Sequence, residues 1–117
     1  MKTATQQFLE KFNKEFARSD IDFILDNVTK TIRWTVVGDQ TVEGKEAFEK
    51  TLNEMAQETL MEVTIHNIIT HGKSAAVNGE MKTPDGSIYA FCDIYKLSGF
   101  KNPKISEMTS YAIELSP

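Results

Sequence analysis

TPDGSIYAFCDIYKLSG, residues 83–99, is the stretch whose reading decides the fold. Pro84-Asp85-Gly86 is a turn, since proline presets one backbone angle and glycine tolerates the positive φ that tight turns need. The segment SIYAFCDIYKL (87–97) is rich in β-branched and aromatic residues and reads as a strand. Side chains alternate along a strand, so one face carries Tyr89, Phe91, Asp93, Tyr95 and Leu97, and the other Ile88, Ala90, Cys92 and Ile94. Both faces are mostly apolar, although a sheet with one wet side should alternate apolar with polar. Each side therefore needs a cover, and one of them holds a lone carboxylate, Asp93.

Outward from this strand, MEVTIHNIIT (61–70), SAAVNGEMKT (74–83) and KISEMTSYAIEL (104–115) read as further strands. The joints His71-Gly72-Lys73, Pro84-Asp85-Gly86 and SGFKNPK are short and hold Gly or Pro, which suits hairpins and an antiparallel meander. Upstream the period is helical. Residues 4–17 place Phe8, Leu9, Phe12 and Phe16 on one side of a helix. Ser19-Asp20 offers a capping oxygen to a short second helix through Phe23, Ile24 and Leu25. TIRWTVV (31–37) is a strand closed by Gly38-Asp39, and Gly44 precedes a third helix at about residues 45–57 with a stripe of Phe48, Leu52 and Met55. The expected architecture is one α+β domain over residues 1–117, with three N-terminal helices on one face of a curved antiparallel sheet.

The chain has 117 residues, 40% of them hydrophobic and 26% charged, the profile of a chain that packs one core. Its net charge is −4, with 17 acidic residues against 13 Lys plus Arg. Such a surface gives no funnel for phosphate backbones and no polybasic membrane patch, so nucleic-acid and membrane binding are not expected. The apolar runs fall short of the ~20 residues a membrane span needs. MKTATQQFLEKFNKEF carries Glu and Lys where a signal peptide would be apolar, and the expectation is a cytoplasmic protein. A single cysteine, Cys92, leaves no internal disulfide and no cysteine-based metal cluster.

RSDIDFILDNVTKTIRWTVVG (18–38), VEGKEAFEKTL (42–52), TPDGSIYAFCDIYKLSG (83–99) and KISEMTSY (104–111), in this order and spacing, resemble the SnoaL-like, ketosteroid-isomerase-like branch of the nuclear transport factor two-like superfamily. The resemblance covers nearly the whole chain. It implies a cone in which the sheet curls round the helices and leaves an apolar pocket open at one end. Members include isomerases, polyketide cyclases, dehydratases, epoxide hydrolases and proteins without catalysis, so fold alone does not assign function. In ketosteroid isomerases the strand resembling FCDIYKLSG carries a pocket-facing acid held neutral to donate a hydrogen bond, and Asp93 falls on it. The tyrosine of the first helix corresponds to Phe12 and the base of the first strand to about Thr35, so steroid-isomerase activity is not implied. Nor do Arg18 and Arg33 supply the arginine flanked by two carboxylates of the family's epoxide hydrolases.

Asp93 is the first candidate catalytic residue, because a carboxyl in apolar surroundings loses hydration and favours its neutral form. A structural alternative pairs it with Arg33. Tyr95, two residues along the same face, is the second candidate, and His66 is a candidate base if it sits near Asp93 on the face shared with Thr64 and Ile68. The expected apolar walls comprise Phe12, Phe16, Trp34, Phe48, Met55 and Phe91, and by resemblance Met108, Ser110 and Ala112 of the last strand face the same cavity. Two histidines without acids at ligand spacing make no metal site, and no cofactor is expected. The expected partners are a small hydrophobic molecule in the pocket and a second copy of the chain on the small aliphatic face of the sheet.

Overall fold

A computed structural model describes residues 2–56 and 60–115. Its elements run α1 (Ala4–Ala17), α2 (Ile21–Asp26), β1 (Val28–Val36), β2 (Gln40–Glu43), α3 (Lys45–Ala56), β3 (Glu62–His71), β4 (Ser74–Lys82), β5 (Ile88–Leu97) and β6 (Ile105–Glu114). The end expected for the third helix, residue 57, lies outside the described residues.

Local sequence explains the helix starts. Thr3 and Gln6 form a reciprocal capping box, the Thr3 hydroxyl accepting from the Gln6 amide and the Gln6 side chain from the Thr3 amide. Asp20 caps α2 by accepting from the Phe23 amide at 3.2 Å. Leu9, Phe12, Asn13 and Ala17 form the buried stripe of α1, and Phe48 and Leu52 that of α3. Each large apolar side chain buried in this way contributes about 1.5–3 kcal/mol.

The six strands form one curved, unclosed sheet in the order β2-β1-β6-β5-β4-β3. The meander β3–β6 is antiparallel throughout, as its hairpin joints require. β1 lies parallel to β6. These strands are distant in sequence and no hairpin fixes their relative direction. The short β2 folds back on β1 through Gly38, whose φ of 85° is open to glycine without strain.

The inner face of the sheet meets the helices in one core that runs from Leu9 and Ile24 through Trp34 and Val77 to Tyr95 and Met108. An aromatic row crosses it, with Phe8, Phe12, Phe16, Trp34 and Phe48 in successive contact at centroid separations of 5.6–6.2 Å. The ladder between β3 and β4 is interrupted by a bulge. There the register slips between Ile65 and Asn67, so that His66 has no partner in the ladder. Opposite Ile65 stands Gly79, where a Cβ would come within 2.0 Å of the Thr64 carbonyl oxygen, an approach only glycine permits. No helix among the described residues is long and apolar enough to cross a membrane.

Candidate functional site

Between the helices and the inner face of the sheet lies a cavity of about 410 Å³, within the ~300–1,000 Å³ range of small-molecule sites. Its walls are mainly apolar, built from aromatic, methionine and aliphatic side chains, with Phe16 of α1, Trp34 of β1, Phe91 of β5 and Met55, Met81 and Met108 among them. Asp93, Tyr95 and Ser110 bring hydroxyl and carboxyl groups to this surface. The alternation of β5 aims its odd-numbered side chains inward, so Phe91, Tyr95 and Leu97 are buried while Ile88 and Ile94 are exposed on the other side. Asp93 follows the same phase and is half-buried at the cavity wall.

The surroundings of Asp93 are apolar, and burial raises its carboxyl to about 6, with the hydroxyls of Ser110 and Tyr95 pulling the other way by hydrogen bonding to the charged form. Ser110 stands directly across the β5–β6 register, and the Tyr95 hydroxyl lies 3.4 Å from Asp93 Oδ2. Ser110 accepts a hydrogen bond from Trp34 Nε1 at 2.9 Å. Tyr95 is 1% exposed, and burial, then the neighbouring Asp93 charge, hold its hydroxyl well above the ordinary tyrosine value. No Lys, Arg or His lines the cavity among the described residues.

Arg33 does not pair with Asp93. Its guanidinium meets Glu43 at 3.2 Å across the β1–β2 hairpin, on the exposed surface. His66 is likewise not brought to Asp93. His66 keeps the outward phase of Glu62 and Thr64, and the bulge reverses the phase after it, so Asn67 is also outward, Ile68 is inward, and the face expected to join His66 to Ile68 is interrupted. The imidazole lies 3.5 Å from Glu80 in a half-exposed pair and borders a small surface groove with Lys2, Gln6 and Glu10. Phe12 and Phe48 are fully buried behind the cavity wall and are absent from it: Phe12 packs edge-on to Tyr95, and Phe48 edge-on to Trp34. Phe16, Trp34, Met55, Phe91, Met108 and Ser110 do line the cavity, as does Ala112, and Met55 is 39% exposed. Cys92 points to the reverse face, where burial and the nearby Asp93 charge push its thiol up, away from the thiolate a nucleophile needs. No group of three metal-ligating side chains occurs among the described residues.

The residue that hydrophobic periodicity passes over is Asn13. It is 7% exposed, on the buried stripe of α1 four residues after Leu9, and its side-chain amide donates to the Leu9 carbonyl at 2.8 Å and to the Tyr95 hydroxyl at 3.1 Å. A polar residue at a stripe position is itself a sequence signal, because a buried amide requires partners.

The family of SnoaL-like domains matches residues 9–108. A search of curated proteins found no significant match. Among solved structures, the chain is similar to an NTF2-like protein of unknown function from Cytophaga hutchinsonii, with 23% identity over 92% of this chain and 98% of that one and a TM-score of 0.71. It is also similar to SalBIII, an epoxide hydrolase/cyclase-like enzyme in pyran ring formation in the polyether salinomycin, at 18% identity over 92% and 88% of the two chains and a TM-score of 0.76. A third similar structure is an LEH-like epoxide hydrolase of M. tuberculosis, at 16% identity over 92% and 81% and a TM-score of 0.76. At these identities the likeness establishes the NTF2-like fold.

Proposed function

The chain belongs to the SnoaL-like domain family, and from that premise we propose that it binds a small hydrophobic molecule in the cavity and works on it by acid–base chemistry through Asp93. The single observation that carries this reading is a carboxyl that has no cationic partner among the described residues, set in the wall of a mainly apolar cavity. A structural carboxylate is ordinarily paired, and one left in apolar surroundings costs stability that a functional role explains. With its titration raised to about 6, the group exchanges protons near neutral pH, where general acid–base groups are most effective. Tyr95 holds the carboxyl by hydrogen bonding, and the aromatic and methionine walls orient an apolar ligand against it. SalBIII and the mycobacterial epoxide hydrolase supply the precedent that this fold hosts such chemistry. A cytoplasmic location belongs to the same reading and is supported by the single cysteine, which suits a reducing compartment.

The test is a thermal-shift screen of hydrophobic cyclic compounds, both carbonyl-bearing and hydroxyl-bearing, followed by turnover assays on each stabilising compound. Asp93→Asn is expected to abolish turnover and to retain much of the binding. Stabilising ligands without turnover would leave a binding module, and a screen in which no compound binds would overturn the reading.

The outer face of the sheet favours a second association. Ile94 is 37% and Ile113 70% exposed on neighbouring strands β5 and β6, and Ile69 is 64% exposed on β3. An apolar patch of this kind on a sheet fits a second copy of the chain. Sedimentation at low micromolar concentration is expected to give a dimer that Ile94→Lys dissociates, and a monomeric wild-type chain would remove the claim.

A further inference from the structure

The hydrogen-bond donors around Asp93 all run in one direction. The first arm starts at Asn13, which faces both the Leu9 carbonyl and the Tyr95 hydroxyl. A carbonyl oxygen only accepts, so the group facing it is the Asn13 amino group, and that group's second proton goes to the Tyr95 oxygen. The Tyr95 proton is then directed to Asp93 Oδ2. The second arm starts at Trp34. An indole N–H only donates, so Ser110 Oγ accepts from it, and the Ser110 proton is left for the carboxyl across the β5–β6 register. Both arms end on Asp93.

Donors aimed at a carboxyl favour its charged form over its neutral form. Burial opposes them, and with titration at about 6 the carboxylate is the form present at neutral pH. The other titratable groups near it are Tyr89 and Tyr111 at the cavity wall and Cys92 on the reverse face. β4 places Val77 opposite Asp93, and α1 contributes Asn13 and Phe16 to the cavity. With no cation on the wall among the described residues, a ligand carboxylate or phosphate would meet an unbalanced negative charge, and a ligand carbonyl would place a lone pair against another acceptor.

We propose that Asn13 and Trp34 are positioning residues that act through Tyr95 and Ser110 to hold Asp93 as a hydrogen-bond acceptor, and that the cavity takes an apolar molecule presenting a hydroxyl group to it. The resemblance to ketosteroid isomerases implies the opposite polarity, a neutral acid that donates. The assignment rests on reading the cavity as a ligand site, but the positioning half of it is testable without any ligand.

Carboxyl-carbon NMR titration of Asp93 is compared in the wild type, Asn13→Ala, Trp34→Phe and Ser110→Ala. If the arms donate to Asp93, loss of either raises its titration midpoint by about half to one pH unit. Midpoints that fall or stay unchanged would overturn the polarity. Ser110→Ala removes only a small half-buried hydroxyl and decides the matter alone if the two larger changes fail to fold. For the ligand, fluorescence titration at about pH 8, where Asp93 is ionised, compares β-naphthol with its methyl ether, which keeps the apolar body and loses the donor. At least about tenfold tighter binding of the naphthol is expected from one hydrogen bond to a charged group, with the preference lost in Asp93→Ala. Equal binding of the ether would overturn the hydroxyl assignment. Binding of neither would overturn both that assignment and the cavity reading on which it rests, while the titration still decides the positioning roles.

Discussion

β5 and β3 belong to the same antiparallel meander, and each carries a candidate acid–base residue, Asp93 on β5 and His66 on β3, that alternation assigns to a face. On β5 the ladder is regular from Tyr89 to Lys96, and Asp93 lies where alternation puts it, at the cavity wall. On β3 the ladder slips at His66, and the imidazole ends on the surface beside Glu80. The difference teaches that a period of two transfers to a structure only as far as the next bulge, because one extra residue reverses the phase of the rest of the strand. His66 itself stays on the outward face of Glu62 and Thr64, and it is Ile68, beyond the bulge, that turns inward.

The largest effect on this contrast is expected beside the bulge, at Gly79. Gly79→Ala forces a methyl group against the Thr64 carbonyl oxygen, 2.0 Å from the ideal Cβ position. It is expected to cost about 3 kcal/mol or more in denaturant unfolding, or to prevent folding. Next in size is Tyr95→Phe. It leaves one Asn13 proton without its buried acceptor and is expected to destabilise by about 1–3 kcal/mol, measured by the same unfolding experiment.

Asp93→Asn acts in the opposite sense. The folded carboxyl titrates at about 6, above the value of 3.8 for an unperturbed group. Between those values the native state binds more protons than the unfolded state, so wild-type stability falls as pH rises through the window. The cost is absent below the lower value and complete above the higher one. Replacing the carboxyl by an amide is therefore expected to stabilise the protein by roughly 1–3 kcal/mol at neutral pH and to have little effect in acid, as read from melting temperatures across the range. The smallest effect is expected on β3. A double-mutant cycle on the half-exposed His66–Glu80 pair should give a coupling of under about 1 kcal/mol, and His66→Ala should leave ligand binding unchanged.

Much of this organisation is legible in the sequence. The α1 stripe of aromatic residues, the Asp20 cap and the two-faced alternation of β5 come directly from spacing and residue type. β2 is less legible, because Gln40-Thr41-Val42-Glu43 is short and half charged or amide-bearing, and it becomes a strand only by pairing with β1. The parallel β1–β6 pairing is a long-range contact with no local signature. At the site, periodicity finds the walls but not their depth. Phe12 and Phe48 satisfy the same apolar pattern as Phe16 and Met55, and only tertiary packing puts the first two behind the cavity surface. Asn13 carries a signal, a polar residue on a buried stripe, whereas its partner Tyr95 is set by the way α1 crosses the sheet.

The central claim is that Asp93 is an unpaired carboxyl at the wall of an apolar cavity, and titrating its carboxyl carbon by NMR in the wild-type chain, assigned against Asp93→Asn, tests it most directly. The account predicts a midpoint near 6. A midpoint at or below about 4, the ordinary value for aspartate, would place Asp93 in solvent or in an ion pair and contradict it.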